Sequence, residues 1–132
     1  MKAYLALATW LALASGGSSG CAPMPQYNEA DCPVYTDIEE VRVNPAGALD
    51  RRLRVRAAFK VCPPEEGLVE IKRKRIELRH ELIALLSSMT REELEHPRRI
   101  ENVRQAIVAH VNERLMRKGS VIDVSITGFE LE

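Results

Sequence analysis

Residues 52–61 read Arg-Leu-Arg-Val-Arg-Ala-Ala-Phe-Lys-Val, and their alternation decides the class of fold. Leu53, Val55, Ala57, Phe59 and Val61 share one side of an extended strand. Arg52, Arg54, Arg56 and Lys60 share the other, with Ala58 among them. Such period-two alternation describes a strand with one buried and one wet face. Cys62-Pro63-Pro64 ends it. Upstream, residues 34–43 (Val-Tyr-Thr-Asp-Ile-Glu-Glu-Val-Arg-Val) predict a partner strand. Its alternation changes phase near Glu39-Glu40, the mark of a β-bulge. Asn44-Pro45-Ala46-Gly47 between the two strands is turn chemistry.

Downstream, residues 65–88 predict one long helix. Its stripe is Leu68, Ile71, Leu78, Leu82, Leu85 and Met89, widened by Ile83 and Leu86. Thr90 followed by Glu93 matches a capping box, so a short helical turn begins there. Pro97 suits the first position of a further helix, with Ile100, Val103, Ile107, Val111 and Leu115 as its stripe. Gly119 is the expected stop, after Arg117 and Lys118, which complement the helix dipole. Residues 121–131 form a last strand: Ile122, Val124 and Ile126 alternate, then the phase slips at Gly128 to Phe129 and Leu131. The order β-β-α-α-β predicts an α+β domain, an antiparallel sheet packed by two main helices.

The first twenty residues do not belong to that pattern. Lys2 precedes twelve apolar or small residues, Ala3 to Ala14, and Ser15-Gly16-Gly17-Ser18-Ser19-Gly20 follow before Cys21. This is the order of a secretory signal peptide, and its apolar stretch is too short to cross a bilayer. Small residues directly before a Cys resemble the lipobox of bacterial lipoproteins, in which that Cys becomes the acylated N-terminus. Ser18 stands where the lipobox usually has Leu. Lipidation at Cys21 is the favoured reading over ordinary cleavage nearby. The expected organisation is therefore a signal peptide over 1–20, a tether over 21–33 containing Pro23, Pro25 and Pro33, and a folded domain over 34–132.

Composition limits the function. The chain has 132 residues, with 19 Lys and Arg against 19 Asp and Glu, and only 5% aromatics. A broad nucleic-acid binder needs clustered excess cation or a stacking platform, and neither is present. His80-Glu81-Leu82-Ile83-Ala84 starts like a zinc-protease helix, but Ala84 stands where the second His belongs. His80, His96 and His110 show no metal-ligand spacing; the helix pair could bring His80 and His110 together, but lone helix histidines are by default structural or solvated. No phosphate loop or nucleophile elbow is present. No cofactor and no catalytic residue are expected.

Two readings concern pairs and surfaces. A hairpin turning about Gly47 places Cys32 and Cys62 opposite each other, so an oxidising compartment allows a disulfide. The bland alternative is two free thiols. Closing that loop contributes about 3–4 kcal/mol by chain entropy. Arg52, Arg54, Arg56 and Lys60 form a candidate interaction surface for an acidic neighbour, including a second copy of the chain. Lys72-Arg73-Lys74-Arg75 reads first as the solvated flank of a helix, with Glu70 and Glu77 as partners. The functional alternative for that run is contact with acidic lipid or an acidic partner.

The ordered segments resemble the flagellar basal body-associated FliL family. The residues that carry this are Val43-Asn44-Pro45, Leu53 to Val61, Glu81 to Thr90 with Glu93-Leu94, Val103 to Ile107, Val111 to Leu115, and Val121 to Phe129. The similarity spans about residues 34–131. It implies a periplasmic domain of stomatin-like (SPFH-type) fold that assembles into homo-oligomeric rings at the flagellar stator or basal body, with no catalytic residues to carry over. The family's usual anchor is an uncleaved transmembrane helix; here a lipobox-like segment stands in its place. The expected location is the periplasm of a bacterial envelope, membrane-anchored through Cys21. A second expectation is an envelope lipoprotein that uses the same fold to bind a secretion or cell-wall complex.

Overall fold

The computed structural model describes residues 27–132, so the signal-peptide expectation and Cys21 lie outside the described residues. Strands β1 (Val34–Tyr35), β2 (Val41–Val43) and β3 (Leu53–Cys62) come first. Helices α1 (Pro64–Arg73), α2 (Arg75–Ser87), α3 (Arg91–Glu95) and α4 (Arg99–Arg114) follow, and β4 (Ser120–Leu131) closes the chain. The domain is α+β, with an antiparallel sheet and helices packed on one of its faces.

The alternating stretch is the centre of the sheet. β4 pairs with β3 over its whole length, from Leu53↔Leu131 to Cys62↔Ser120. β1 and β2 share the opposite edge, with Tyr35 against Phe59 and Val43 against Leu53. The expected first strand is thus two short strands, and residues 36–40 between them are a loop rather than a bulged strand. The phase slip lies in that loop. The pairing with β3 shifts by two residues between β2 and β1. β4 carries two irregularities of its own, where Ile122 and Thr127 have no partner on β3. The second accounts for the phase change before Phe129, because an extra residue rotates all that follow to the other face.

Leu53, Val55, Phe59 and Val61 are buried on the helix side of β3, and they meet Ile71, Leu78, Leu86, Ile107, Val111 and Val124. The stripe expected for residues 65–88 does face this core, but the helix is broken at Lys74, whose φ and ψ are −99° and 23°. The Lys74 ammonium turns inward, donating to the Leu115 carbonyl at 2.7 Å and to Glu70 at 3.0 Å. The capping box is present: Glu93 N donates to Thr90 Oγ1, and Thr90 N donates to the Glu93 carboxylate. Pro97 sits in the turn before α4, which starts two residues later than expected, and Ile100 of the expected stripe is 47% exposed.

The end of α4 also departs from expectation. The helix stops at Arg114, with Leu115 as its cap, and Gly119 lies beyond a further turn. No glycine among the described residues has a positive φ, so Gly119 is not there for left-handed backbone. It is there for space. A Cβ on Gly119 would stand 2.6 Å from the Gly67 Cα and 2.9 Å from the Cys62 carbonyl oxygen. The turn from α4 to β4 therefore lies directly on the first turn of α1 and the end of β3.

Candidate interaction surface

The side of the sheet away from the helices carries the cations singled out in the sequence. Arg54, the second residue of β3, stands in register with Arg42 of β2 on one side and Glu130 of β4 on the other. Glu40, in the loop before β2, reaches over this row. Its carboxylate accepts from Arg54 Nε at 2.9 Å and from Arg42 Nε at 3.0 Å, and it lies 3.9 Å from Arg56 Nη2. Arg54 Nη1 also donates to Glu130 at 3.3 Å and Glu132 at 3.2 Å. The hydrogen bonds from Arg54, then Arg42, hold the Glu40 carboxyl below its usual pKa, and Glu40 raises that of Arg54.

The expected basic face is therefore a lattice of both signs. Arg54 is committed within it. Arg56 is mostly exposed and only loosely held. Arg52 precedes β3; its backbone N–H and C=O bond to those of Glu132, while its side chain is exposed. Lys60 lies opposite Val34 and Asp123. Neither Arg52 nor Lys60 makes an ion pair among the described residues. Three neutralising carboxylates arrive from a loop and from the C-terminus, regions with no visible pattern relative to β3. Period-two reading finds the arginines and misses their partners.

Cys32 and Cys62 meet at the far end of β3. The register of Val34 with Lys60 carries Cys32 opposite Cys62, their Cα atoms are 5.3 Å apart, and their sulfurs are bonded. Both residues are buried. Tyr27, at the start of the described chain, lines a hollow with Pro63, Pro64, Glu65 and Glu66. The N-terminal segment thus leaves the domain beside the start of α1.

The other feature that sequence reading missed is Glu70. Its spacing from Lys74 suggests a solvated flank, yet Glu70 is the buried charged side chain of the core, at 2% exposure. Its carboxylate accepts from the backbone N–H of Arg117, Lys118 and Gly119 at 2.9–3.1 Å, and from Lys74 Nζ at 3.0 Å. Three successive N–H groups turned towards one point make an anion-binding concavity, filled here by the protein's own carboxylate. Burial pushes the Glu70 pKa up, but the Gly119, Lys118 and Arg117 amides together with Lys74 pull it further down, to about 2.

The histidines do not meet each other. His110 Nε2 on α4 lies 2.7 Å from the Glu81 carboxylate on α2, and His80 is exposed. Among the described residues no group of three His, Cys, Asp or Glu side chains is placed to hold a metal ion, and no helix is long and apolar enough to cross a membrane. The arrangement is one of surfaces: an open sheet face of mixed charge and a folded core tied to its N-terminal segment. No curated protein matches the chain. The family model described as "Flagellar basal body-associated protein FliL" matches residues 35–130.

Proposed function

The chain belongs to the flagellar basal body-associated FliL family, and from that premise we propose that it is a non-catalytic part of the flagellar motor, held on the periplasmic side of a bacterial membrane. Residues 1–20 act as its signal peptide, 21–33 as its tether and 34–132 as its working domain. Acylation at Cys21 supplies the anchor, since more than one acyl chain gives stable attachment. The domain takes the stomatin-like arrangement, joins further copies in a ring and supports stator engagement or torque. The Cys32–Cys62 bond is formed in the oxidising envelope. The single observation that carries this reading is the extent of the family match: it runs from Tyr35 in β1 to Glu130 in β4.

Its contacts are made by the sheet face through the cations that the lattice leaves available, Arg52, Arg56 and Lys60. Arg54 holds the lattice together and is a partner of this surface rather than its tip. The test is cross-linking in swimming cells, followed by recovery of the chain from solubilised envelope and mass spectrometry. Stator or basal-body proteins, together with self-cross-links, are the expected catch. Recovery of a secretion or cell-wall complex, with no motor protein, would overturn the motor reading and leave the envelope-lipoprotein one. Arg56→Glu combined with Lys60→Glu is expected to reduce swimming and self-cross-linking at unchanged melting temperature. Wild-type motility in that variant rejects the surface assignment.

A further inference from the structure

We infer that one pole of the domain lies flat on the membrane and binds the phosphate headgroups of anionic lipid through Lys72, Arg73, Arg117 and Lys118. This rests on the reading that Cys21 is the anchor.

The first observation is where the chain enters the fold. Tyr27 sits beside Pro63 to Glu66, and Cys32 is bonded to Cys62, so the N-terminal segment is fixed at the end of β3 and the start of α1. From Cys21 to Tyr27 is a short stretch of sequence. At the fully extended limit it reaches about 20 Å. An anchored Cys21 therefore keeps this pole within headgroup range, since Glu65 and Glu66 line both the hollow at Tyr27 and the hollow with Arg73 and Lys118.

The second observation is what the pole carries. The break at Lys74 brings the end of α1 against the turn from α4 to β4, so Arg73 and Lys118 line one shallow hollow with Val69 between helix turns. Lys72, Arg73, Arg117 and Lys118 are all exposed, and none makes an ion pair among the described residues. Arg117 donates only one of its amino groups, to the Glu113 and Met116 carbonyls. The anion placed to neutralise them, Glu70, is buried with its oxygens taken up by backbone N–H groups and Lys74. Val69 is 62% exposed in the same hollow, which suits the boundary between headgroup and acyl chain.

Glu65 and Glu66 share the hollow, and Glu113 is close in sequence to Arg117. These carboxylates keep the intrinsic attraction weak. The anchor makes weak attraction sufficient, because tethering turns lipid contact into an intramolecular event at high effective concentration. The cations then set the orientation of the domain rather than its retention.

The test uses the full chain as processed in cells, reconstituted into vesicles of phosphatidylcholine alone or with phosphatidylglycerol. Flotation reports the anchor, and amide hydrogen exchange over residues 64–75 and 113–120 reports the pole. Expected are flotation with both vesicles and several-fold slower exchange at the pole with phosphatidylglycerol only, abolished by high salt and by Arg73→Glu with Lys118→Glu at unchanged melting temperature. Flotation with equal exchange on both vesicles, or slowing that survives the double reversal, overturns the inference while leaving the anchor intact. Absence of flotation overturns the anchor and the orientation it imposes. Cross-linking of the pole in native membranes to an acidic protein instead of lipid overturns it too.

Discussion

Two of the carboxylates that hold basic groups in this domain, Glu40 on the open sheet face and Glu70 beneath the turn from α4 to β4, have opposite consequences. Glu40 bridges Arg42, Arg54 and Arg56 at the surface, with Arg42 and Arg56 largely exposed and the contact to Arg54 part-buried. Exposed ion pairs contribute little to folding because solvation and side-chain entropy offset the attraction. Glu70 binds three backbone N–H groups and one ammonium out of water. Removing it leaves buried donors unpaired and the Lys74 ammonium without a counter-charge, and that cost is large. The sheet face can exchange its partners for another molecule's without unfolding; the Glu70 knot cannot.

Glu70→Ala should open the widest gap between the two regions, lowering stability by about 3–5 kcal/mol. A matching loss on Glu40→Ala, read by urea denaturation, would abolish the distinction. Acid probes the same knot. The Glu70 pKa falls from 4.5 in the free side chain to about 2 in the fold, so its contribution is complete above about pH 4.5. It drains away as pH drops towards 2, by about 3 kcal/mol in total. The difference in stability between the wild type and Glu70→Gln should narrow over that interval and stay constant above it. A difference independent of pH would mean that shape, not charge, makes the knot.

Gly119→Ala strikes the backbone side of the knot. Its Cβ has 2.6 Å to the Gly67 Cα, and an overpacked contact of this kind costs about 1–3 kcal/mol. A wild-type melting curve would show that the turn can move away from α1 freely. The smallest effect is expected on the sheet face. Arg54→Ala should leave the melting temperature almost unchanged while freeing Glu40, and its consequence should appear in self-association instead. A strongly destabilised Arg54→Ala would make the lattice a structural element and remove it as an exchangeable surface.

The parts of the fold legible from sequence are those governed by neighbours along the chain. The alternation of residues 53–61 locates β3, and Thr90 with Glu93 locates the start of α3, because both signals are local. The break at Lys74 is not marked locally: no glycine or proline stands there, and the ammonium that turns inward bonds to the Leu115 carbonyl, forty-one residues away. The split between β1 and β2 is hidden for a similar reason. Asp37 and Glu39 of the intervening loop pair with Arg75 and Arg79 of α2, while Glu40 turns to the sheet. The candidate site was legible only by half. Its arginines recur every second residue, but their carboxylates are delivered by register with Glu130 and by the loop before β2.

The bond between Cys32 and Cys62 decides how the domain answers a pull. Tension travelling along the chain from its N-terminal side meets Cys32 before it meets β1. The bond diverts it into Cys62, the last residue of the central strand, so β1 is relieved of it. β3 is flanked along its length by β4 and on its other edge by β1 and β2. Drawn from its end, it must slide against all of these ladders at once. Without the bond the same tension would peel β1 away one hydrogen bond at a time.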